Sequence, residues 1–345
     1  MKILNSNTDK EEWLGIWNGW NGKEVFVHPD YINLYTDGKS QAYCAVLQEN
    51  DATVLYPFIK RPLKEEPYCG NELFDITTAY GYSGIYAFGN WNKELIERFC
   101  EEFSGWAKNN NVVCEFVRFA LDSPTKDYYA GEAVLNNQNI IVDLTVDKES
   151  TWSNFKHKVR KNVNKARANN LKIEFDDDGS KIEEFLNIYY STMDRRNAGE
   201  GYYFSKEYFQ TIIEKLKGQF VFAHAFHDGE MISTELVLVS DENIYSFLGG
   251  TLNEYFDMRP NDLLKFEIIN WGREHGKKRF VLGGGYIPMD GIFQYKLSFA
   301  PDGIVPFYIG KRIFMQDKYD ELVANKQRTN GSSELNESYF PLYRA

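Results

Sequence analysis

Hydrophobic residues recur every three or four positions in several segments of the chain. In residues 93–108, Leu95, Phe99, Phe103 and Trp106 fall on one side of a helix. This spacing predicts an amphipathic helix over 93–108. Further helices in the first half are predicted over residues 9–20 and 30–35.

Shorter apolar runs between these helices are typical of strands. Residues 42–48 and 52–60 are β-rich and are joined by three polar residues, which predicts a hairpin. Buried strands are predicted over 112–119 and 140–144, whereas residues 68–89, rich in glycine and tyrosine, are predicted to be a loop. Strands that alternate with helices in this way indicate an α/β unit.

The second half alternates helical and β-type patterns more regularly. Ser180 and Glu183 have the spacing of a capping box, Ser205 has the position of an N-cap, and Asp228-Gly229 predicts a tight hairpin turn. The predicted strands span residues 171–175, 220–226, 231–239, 244–249, 280–282 and 304–309, and the predicted helices span 152–169, 180–196, 205–217, 261–275 and 290–297. From residue 171 the predicted order is therefore β-α-α-β-β-β-α-β-α-β.

Length and composition bound the class of protein. A chain of 345 residues, with 43% hydrophobic and 16% aromatic residues, is folded and long enough for two domains. No apolar run is long enough for a membrane span, and the first residues lack the pattern of a signal peptide. The four scattered cysteines have no metal-ligand spacing, so we expect reduced thiols in the cytoplasm and no metal cofactor.

Charge is distributed unevenly along the chain. Residues 1–150 carry 13 Lys or Arg and 23 Asp or Glu, whereas residues 151–345 carry 26 and 27. Seven Lys or Arg and no acid occur between Lys156 and Lys172. Lys158, Lys161 and Lys165 lie together on the predicted helix, where they form either a solvated face or a binding site for RNA phosphates.

The stretch 279–299 carries the strongest candidate chemistry. A short apolar strand ends at three consecutive glycines, Gly283, Gly284 and Gly285, and a helix that contains Lys296 follows. Open α/β sheets place ligands at the carboxyl ends of their strands. Lys296 is therefore the candidate catalytic residue, although it could equally extend its ammonium into water from a packed stem.

Other reactive constellations are weaker. His224 and His227 are spaced to face opposite sides of a strand, and Asp176, Asp177 and Asp178 lack the ligand spacing of a calcium loop. We expect the three aspartates to form a solvated turn. No Ser, His and Asp set has the pattern of a nucleophile elbow.

Four phrases resemble the FemABX-like family of the GNAT acyltransferase superfamily in sequence and spacing. They are FDITTAYGYSGIY (74–86), the segment 142–175 around KHKVRKNVNKARANN, DGEMISTELVLVSDENIYSFLGGT (228–251) and LGGGYIPMDGIFQYKLSFAPD (282–302). The resemblance extends from about residue 10 to residue 315. It implies an α/β (α+β) fold of two tandem GNAT-like domains, each a mixed central sheet flanked by helices. The expected domains are 1–150 on the acceptor side and 151–315 on the donor and catalytic side, with 316–345 a C-terminal helix and polar tail.

The resemblance implies a transferase that moves an aminoacyl group from aminoacyl-tRNA, or an acyl group from a thioester such as acyl-CoA, onto an amine. In the characterised branch of the family the acceptor is a peptidoglycan precursor. Lys296, after Tyr295, matches the lysine that stabilises charge at the reacting carbonyl. Arg195 and Arg196 match the position of an arginine that binds acceptor phosphates. Tyr80 and Tyr82 match the family's Tyr-Gly-Tyr substrate loop.

The sequence also departs from this family pattern. It has no long helical hairpin in the second domain, which leaves an arm-mediated hold on tRNA in doubt. It lacks a glycine-rich pyrophosphate loop, and the corresponding turn is FDMRPNDL. The amides of Asn261, Asp262 and Leu263, at the predicted start of a helix, remain candidates for a cofactor phosphate.

Three functions are consistent with these patterns. The first is an aminoacyltransferase that docks aminoacyl-tRNA on the basic helix 152–169 and binds a small or nucleotide-linked acceptor. The second is a small-molecule N-acetyltransferase that uses acetyl-CoA. The third is a noncatalytic GNAT-like module that binds a nucleotide-sugar or RNA, and in that case Lys296 would contribute affinity alone.

Overall fold

Strands and helices alternate along the chain in the computed structural model, which describes residues 1–64, 66–69, 72–329 and 335–345. The chain forms two compact units. The first contains residues 1–21, 26–136 and 307–345, and the second contains residues 22–25 and 137–306. The bounds of these units differ from those of the domains expected from the sequence, 1–150, 151–315 and 316–345. The expected domains stay a prediction.

The first unit is a mixed sheet covered by helices. Its helices are α1 (Lys10–Asn18), α2 (Pro29–Asn33), α3 (Lys93–Asn109) and α10 (Gln316–Thr329), and its strands are β1 (Lys2–Asn5), β2 (Gln41–Glu49), β3 (Ala52–Pro62), β4 (Phe74–Thr77), β5 (Tyr86–Phe88), β6 (Val112–Arg118) and the end of β13 (Ile304–Ile313). The strand order is β1-β2-β3-β4-β6-β13, and β5 pairs with β3. The predicted hairpin of β2 and β3 is confirmed.

The loop predicted over residues 68–89 is wrong, because this segment contains β4 and β5. Strand β4 pairs with β3 on one side and β6 on the other. Strand β4 contains the polar residue Asp75, which is fully buried. Its carboxylate accepts hydrogen bonds from Arg61, Arg344 and Tyr343. A carboxylate in a four-residue strand does not have the sequence pattern of a buried strand. Tyr343 is itself fully buried, so this part of the predicted polar tail is core.

The second unit is a second mixed sheet with helices on both faces. Its helices are α4 (Lys148–Asn154), α5 (His157–Ala168), α6 (Ile182–Arg196), α7 (Lys206–Lys215), α8 (Pro260–Glu274) and α9 (Gly291–Leu297). Its strands are β7 (Glu132–Asp143, from Asn137), β8 (Lys172–Asp176), β9 (Phe220–His227), β10 (Glu230–Val239), β11 (Asn243–Thr251) and β12 (Arg279–Gly283). The strand order is β7-β12-β11-β10-β9-β8. The predicted order of elements from residue 171 and the α/β class are confirmed.

The single helix predicted over residues 152–169 is wrong, because the chain is extended at Phe155 and Lys156 between α4 and α5. Phe155 is buried and packs edge-on against Phe266 and Phe299. The Lys156 amide donates to the carbonyl oxygen of Ser298 instead of to a preceding helical turn. A tertiary contact therefore interrupts a sequence whose apolar spacing continues through the break.

The predicted capping box at Ser180 is also wrong. Helix α6 begins at Ile182, and no side chain caps it. The preceding turn is instead organised by Asp176, whose carboxylate accepts the backbone N–H groups of Asp178, Gly179 and Lys181. Asp176 is 8% exposed, so the expected solvated turn is wrong for this residue, whereas Asp177 and Asp178 are exposed as expected. Burial alone would raise its pKa, but these hydrogen bonds hold the pKa of Asp176 at about 2.

Helices α6 and α8 cover opposite faces of the second sheet. On one face, Phe222 of β9 packs against Phe185 of α6. On the opposite face, Glu235 of β10 accepts a hydrogen bond from Lys265 of α8. Strand β11 is parallel to β12 over three residues, Asn243–Tyr245. Beyond Tyr245 the pairing of β11 with β12 ends, whereas its pairing with β10 continues to Thr251.

We predict that Asp176→Ala lowers the free energy of unfolding by about 1–3 kcal/mol at pH 7, because it leaves three backbone donors without their acceptor. Ser180→Ala, the matched control, should cost less, since it removes one side-chain hydrogen bond to Asp176. The pKa of Asp176 is depressed in the folded protein, so its contribution is present above about pH 4 and is lost as the pH falls towards 2. Urea unfolding across this pH range measures the difference, and an equal loss in both variants would contradict the assignment.

Candidate active site

Lys296 lies on the short helix α9, directly after the turn that follows β12. The carboxylate of Asp290 caps this helix by accepting the Phe293 amide, and it also accepts the amide of Tyr286. The Lys296 ammonium donates a hydrogen bond of 2.7 Å to the carbonyl oxygen of Gly284. Hydrogen bonds of Asp290 and Lys296 thus connect the turn to both the start and the end of α9, and they fix the position of the ammonium.

The three glycines of the turn each meet a different steric limit. Gly283 has a φ of 78°, which favours glycine. A Cβ at Gly284 would lie 2.6 Å from the carbonyl oxygen of Gln138, and one at Gly285 would lie 2.3 Å from Asp290. These residues bring backbone close to backbone and supply the carbonyl that holds Lys296. Their predicted direct contact with substrate stays a prediction.

An open cleft with a volume of about 750 Å³ extends from Lys296 along the part of β11 that pairs with β10 but no longer with β12. It is bounded by α6, β10, β11, α8 and α9. Of the predicted site residues it brings together Lys296, Tyr295, Arg195, Arg196, Asn261 and Asp262. Residues 246–251 of β11 form its floor where the strand has left β12.

The floor of the cleft approaches α6 very closely at Gly250. A Cβ on this residue would lie 2.3 Å from the Thr192 hydroxyl and 2.8 Å from the carbonyl oxygen of Ile188. The Thr192 hydroxyl accepts the amide of Thr251. The wall that carries Arg195 therefore rests on the bare backbone of β11.

Sequence reasoning missed two charged residues of the cleft, Glu235 and Lys265. Each is at most 5% exposed, and the Lys265 ammonium donates to the Glu235 carboxylate and, at 2.7 Å, to the Ser246 hydroxyl. A signal was present, because each is a single charge inside an apolar run, TELVLV and LLKF. Charges in such positions are rarely buried without a partner.

The ammonium of Lys296 titrates in an unusual environment. Partial burial, and to a lesser degree the nearby Lys265 ammonium, lowers its pKa from 10.5 to about 8. The carboxylates of Glu235 and Asp290 act in the opposite direction. Lys296 is therefore mostly protonated at pH 7 and ready to meet negative charge that develops in the cleft.

The start of α8 differs from the one predicted. The helix begins at Pro260, after Arg259 in the left-handed conformation with a φ of 64°, and no side chain caps it. Asn261 donates a hydrogen bond of 2.9 Å to the Tyr295 hydroxyl, and Leu263 is a core residue. Asp262 lines the cleft, accepts from Asn162 at 3.1 Å, and has its pKa raised by burial. A cofactor phosphate at these amides stays a prediction.

Arg195 and Arg196 stand at the end of α6, at the other end of the cleft. The Arg195 guanidinium donates to the carbonyl oxygen of Thr251 at 3.0 Å and lies 4.8 Å from the ring of Phe256. Arg196 is exposed. Two guanidinium groups at the mouth of a cleft are suited to an anionic ligand.

The remaining predicted residues do not line this cleft. Lys158, Lys161 and Lys165 are exposed on α5, whose Asn162 contacts Asp262 at the start of α8. Tyr80 and Tyr82 belong to the first unit, where Tyr80 is 50% exposed and the ring of Tyr82 packs edge-on against Phe26. Their roles in RNA and substrate binding stay predictions.

Among the residues that the structure describes, no group of three or more His, Cys, Asp or Glu side chains is placed to hold a metal ion. None of the described helices is long and apolar enough to cross a membrane.

Part of the chain matches a known family model, and its fold is similar to solved structures. Residues 153–297 match the family model described as an acetyltransferase (GNAT) domain. The solved structure of FemX is similar with a TM-score of 0.70 and 12% identity, over 93% of this chain and 99% of FemX. No curated protein sequence matches significantly.

Two further solved structures share the fold. The C-terminal domain of a putative lysylphosphatidylglycerol synthetase from Agrobacterium fabrum is 14% identical, with a TM-score of 0.54, over 87% of this chain and 90% of that one. L-PGS from Bacillus licheniformis is 11% identical, with a TM-score of 0.55, over 96% and 100%. At these identities the likeness concerns the fold.

Residues 153–297 thus match a GNAT acetyltransferase domain. The fold of the chain is similar to that of FemX, as the resemblance of the sequence implied. The match to the family model includes β11, α8 and α9, so the cleft beside Lys296 lies within the acyltransferase domain.

We predict that Lys296 loses its proton near pH 8, more than two pH units below an ordinary lysine, because its ammonium is partly buried beside Lys265. NMR of lysine labelled with ¹⁵N and ¹³C measures this titration, and the Lys296→Met variant assigns the signal. A midpoint at the ordinary value of 10.5 would mean that the ammonium is hydrated.

Proposed function

We propose that this protein transfers an aminoacyl group from aminoacyl-tRNA to the amine of a small or nucleotide-linked acceptor, with a peptidoglycan precursor as the acceptor implied by the family. The observation that carries this proposal is the held ammonium of Lys296 in an open cleft of about 750 Å³. A cleft of this size accommodates the end of one substrate and the reacting group of another.

In the proposed reaction the acceptor nitrogen attacks the carbonyl carbon of the aminoacyl ester. A C–N bond forms, and the carbonyl oxygen becomes an oxyanion beside the Lys296 ammonium. Collapse breaks the C–O bond to the ribose oxygen, which gains a proton as the attacking nitrogen loses one. A cation fixed by Gly284 before the reaction stabilises the oxyanion more than the uncharged ester.

The acceptor side of the cleft is assigned to Arg195 and Arg196. Arg195 keeps its place through Thr251 and Phe256 and still has N–H groups to offer. One guanidinium group can donate two parallel hydrogen bonds to the oxygens of a phosphate. A nucleotide-linked or phosphorylated acceptor matches this chemistry better than a neutral one.

Asp262 favours aminoacyl-tRNA over acyl-CoA as donor. Its carboxylate lines the cleft at the N-terminus of α8, where the backbone would otherwise attract a pyrophosphate. A second anion there is repelled. Acyl-CoA remains the second candidate donor, because α8 begins without a side-chain cap and its residues Pro260, Asn261 and Asp262 line the cleft.

Lys296→Met should reduce kcat by about 10²–10³-fold, as is typical when one oxyanion donor is lost, while acceptor affinity changes little. Lys277→Met is the matched control, since Lys277 is also partly buried in this unit but donates to the carbonyl oxygens of Ser240 and Asp241. Steady-state kinetics and acceptor titration measure both. If the wild-type protein shows no turnover and Lys296→Met loses affinity for the acceptor, the noncatalytic module is favoured.

The donor is tested by titrating the purified protein with charged tRNA, uncharged tRNA and acetyl-CoA at several salt concentrations. We expect salt-sensitive binding of tRNA that weakens at least tenfold when Lys158, Lys161 and Lys165 are changed to Gln, because phosphate contacts are electrostatic. The charge-matched control changes Lys206, Lys215 and Lys217, which lie on or just after α7.

The outcomes separate the candidate functions. Equal weakening in both triple variants would indicate unspecific attraction and not a docking surface. Tight binding of acetyl-CoA with no binding of tRNA would overturn the aminoacyl donor and establish an N-acetyltransferase. Binding of neither would favour the noncatalytic module.

A further inference from the structure

Arg118, the last residue of β6 in the first unit, is a partly buried cation without a counter-charge. Its guanidinium donates through Nη1 to the carbonyl oxygen of Thr78 at 3.2 Å. Two other arginines of this unit, Arg61 and Arg344, form ion pairs with the buried carboxylate of Asp75. Among the residues that the structure describes, no Asp or Glu side chain forms an ion pair with Arg118.

The loop that contains Tyr80 begins and ends on the backbone of Arg118. The Arg118 amide donates to the Thr78 hydroxyl at 3.0 Å where this loop begins, and the Arg118 carbonyl oxygen accepts the Ser83 amide at 2.8 Å where it ends. Between these contacts, the Tyr31 hydroxyl donates to the carbonyl oxygen of Tyr80 at 2.7 Å. Tyr80 is 50% exposed, so the loop, residues 78–83, has a fixed backbone and an accessible surface beside Arg118.

The guanidinium of Arg118 retains one edge for a ligand. Thr78 engages Nη1, whereas neither Nε nor Nη2 has a hydrogen-bond partner in the described part of the chain. The guanidinium carbon lies 4.8 Å from the centre of the Phe116 ring, which supports the group. Nε and Nη2 carry parallel N–H bonds, and this geometry suits the two oxygens of a carboxylate.

The surroundings of Arg118 supply no negative charge at neutral pH. Burial lowers the pKa of Arg118, as it does for a cation removed from water. The strongest electrostatic influences on it come from Tyr80, Arg61, Tyr339 and Tyr35. Tyrosines are neutral at pH 7 and Arg61 is a second cation, so an anion at Arg118 would have to come from a ligand.

A structural role does not explain the charge of Arg118. A partly buried cation without a counter-charge costs free energy, whereas an apolar side chain at this position could cover Phe116 without that cost. The single bond to the Thr78 carbonyl oxygen requires one N–H group and not a guanidinium. The charge and the remaining edge are therefore features that a ligand would use.

We propose that the edge of Arg118 formed by Nε and Nη2 binds a carboxylate group of a ligand beside the Tyr80 loop. One guanidinium balances the single charge of a carboxylate, whereas a phosphate group carries about two charges at pH 7. That this carboxylate belongs to the acceptor rests on the proposed function. The binding of a carboxylate at Arg118 does not.

The first experiment follows the Nε–H signal of Arg118 in ¹H–¹⁵N NMR spectra of the full chain, assigned by its absence in Arg118→Lys. The probes are acetylglycylglycine, its C-terminal amide and inorganic phosphate. We expect a saturable shift with the peptide and affinity weaker by about tenfold for the amide, because a charge-assisted pair of hydrogen bonds is lost. The Nε–H signal of Arg61 is the internal reference, since Asp75 already accepts it at 2.7 Å.

Two variants separate ligand binding from structure. Arg118→Gln retains an N–H donor for Thr78 and removes the charge, so we expect peptide and amide to bind equally weakly while the free energy of unfolding changes little. Arg61→Gln is the matched control in the same unit. It should lower the free energy of unfolding, because Asp75 loses one of its cations, and it should retain the preference for the peptide carboxylate. Calorimetric titration and urea unfolding measure both properties.

Equal shifts with peptide and amide, or no saturable shift, would overturn the proposal. Tighter binding of phosphate than of the peptide would also overturn it, because the site would then be one for phosphate. An Arg118→Gln protein that loses stability as Arg61→Gln does and keeps the preference for the carboxylate would assign Arg118 a structural role.

The transferase assay is a separate readout. Changing an acceptor carboxylate to an amide should raise KM about tenfold in the wild type and little in Arg118→Gln, with kcat unchanged. Carboxylate binding in a protein without transferase activity would mean that the proposed function fails and this inference stands. Transfer without carboxylate binding at Arg118 would overturn this inference and leave the proposed function intact.

Discussion

The hydrogen bond from the Lys296 ammonium to the Gly284 carbonyl depends on three neighbouring features of the fold. It requires a strand that ends in residues without side chains, a helix that begins within a few residues, and a capping carboxylate that joins the two. After Tyr245, β11 no longer pairs with β12, and its residues 246–251 line the same cleft as Lys296. The fold and the chemistry thus meet in one contact.

Three buried charged residues of the second unit lie around this point. Asp262, Glu235 and Lys265 are each at most 7% exposed, and all border one cleft. Lys296 lines the same cleft. Its pKa is lowered to about 8, mainly by burial and further by Lys265, while Glu235 acts in the opposite direction.

Local sequence predicts the elements of this unit well, because their apolar spacing and turn residues agree. Asp290 caps α9 and Asp228-Gly229 joins β9 to β10, as the pattern indicates. It fails where a distant contact decides the backbone, as at Phe155, or where a polar residue is buried by a distant partner, as at Asp75 and Asp176. The candidate lysine could be found from its neighbours in sequence. Glu235 and Lys265 each carry a signal, a single charge inside an apolar run. Their pairing could not be predicted, because the two residues are far apart along the chain and meet through the packing of α8 on β10.

The contact of Gly250 with α6 limits how such a cleft can diversify. Because Thr192 and Ile188 already touch the place where a Cβ would stand, any larger residue at this position would lift the helix and carry Arg195 with it. The position of this wall is consequently set by the main chain at Gly250, where few substitutions can be accommodated. Substitutions meant to change which ligand the cleft accepts are therefore best directed to the α8 side and to the exposed Ile292, while Gly250 is kept.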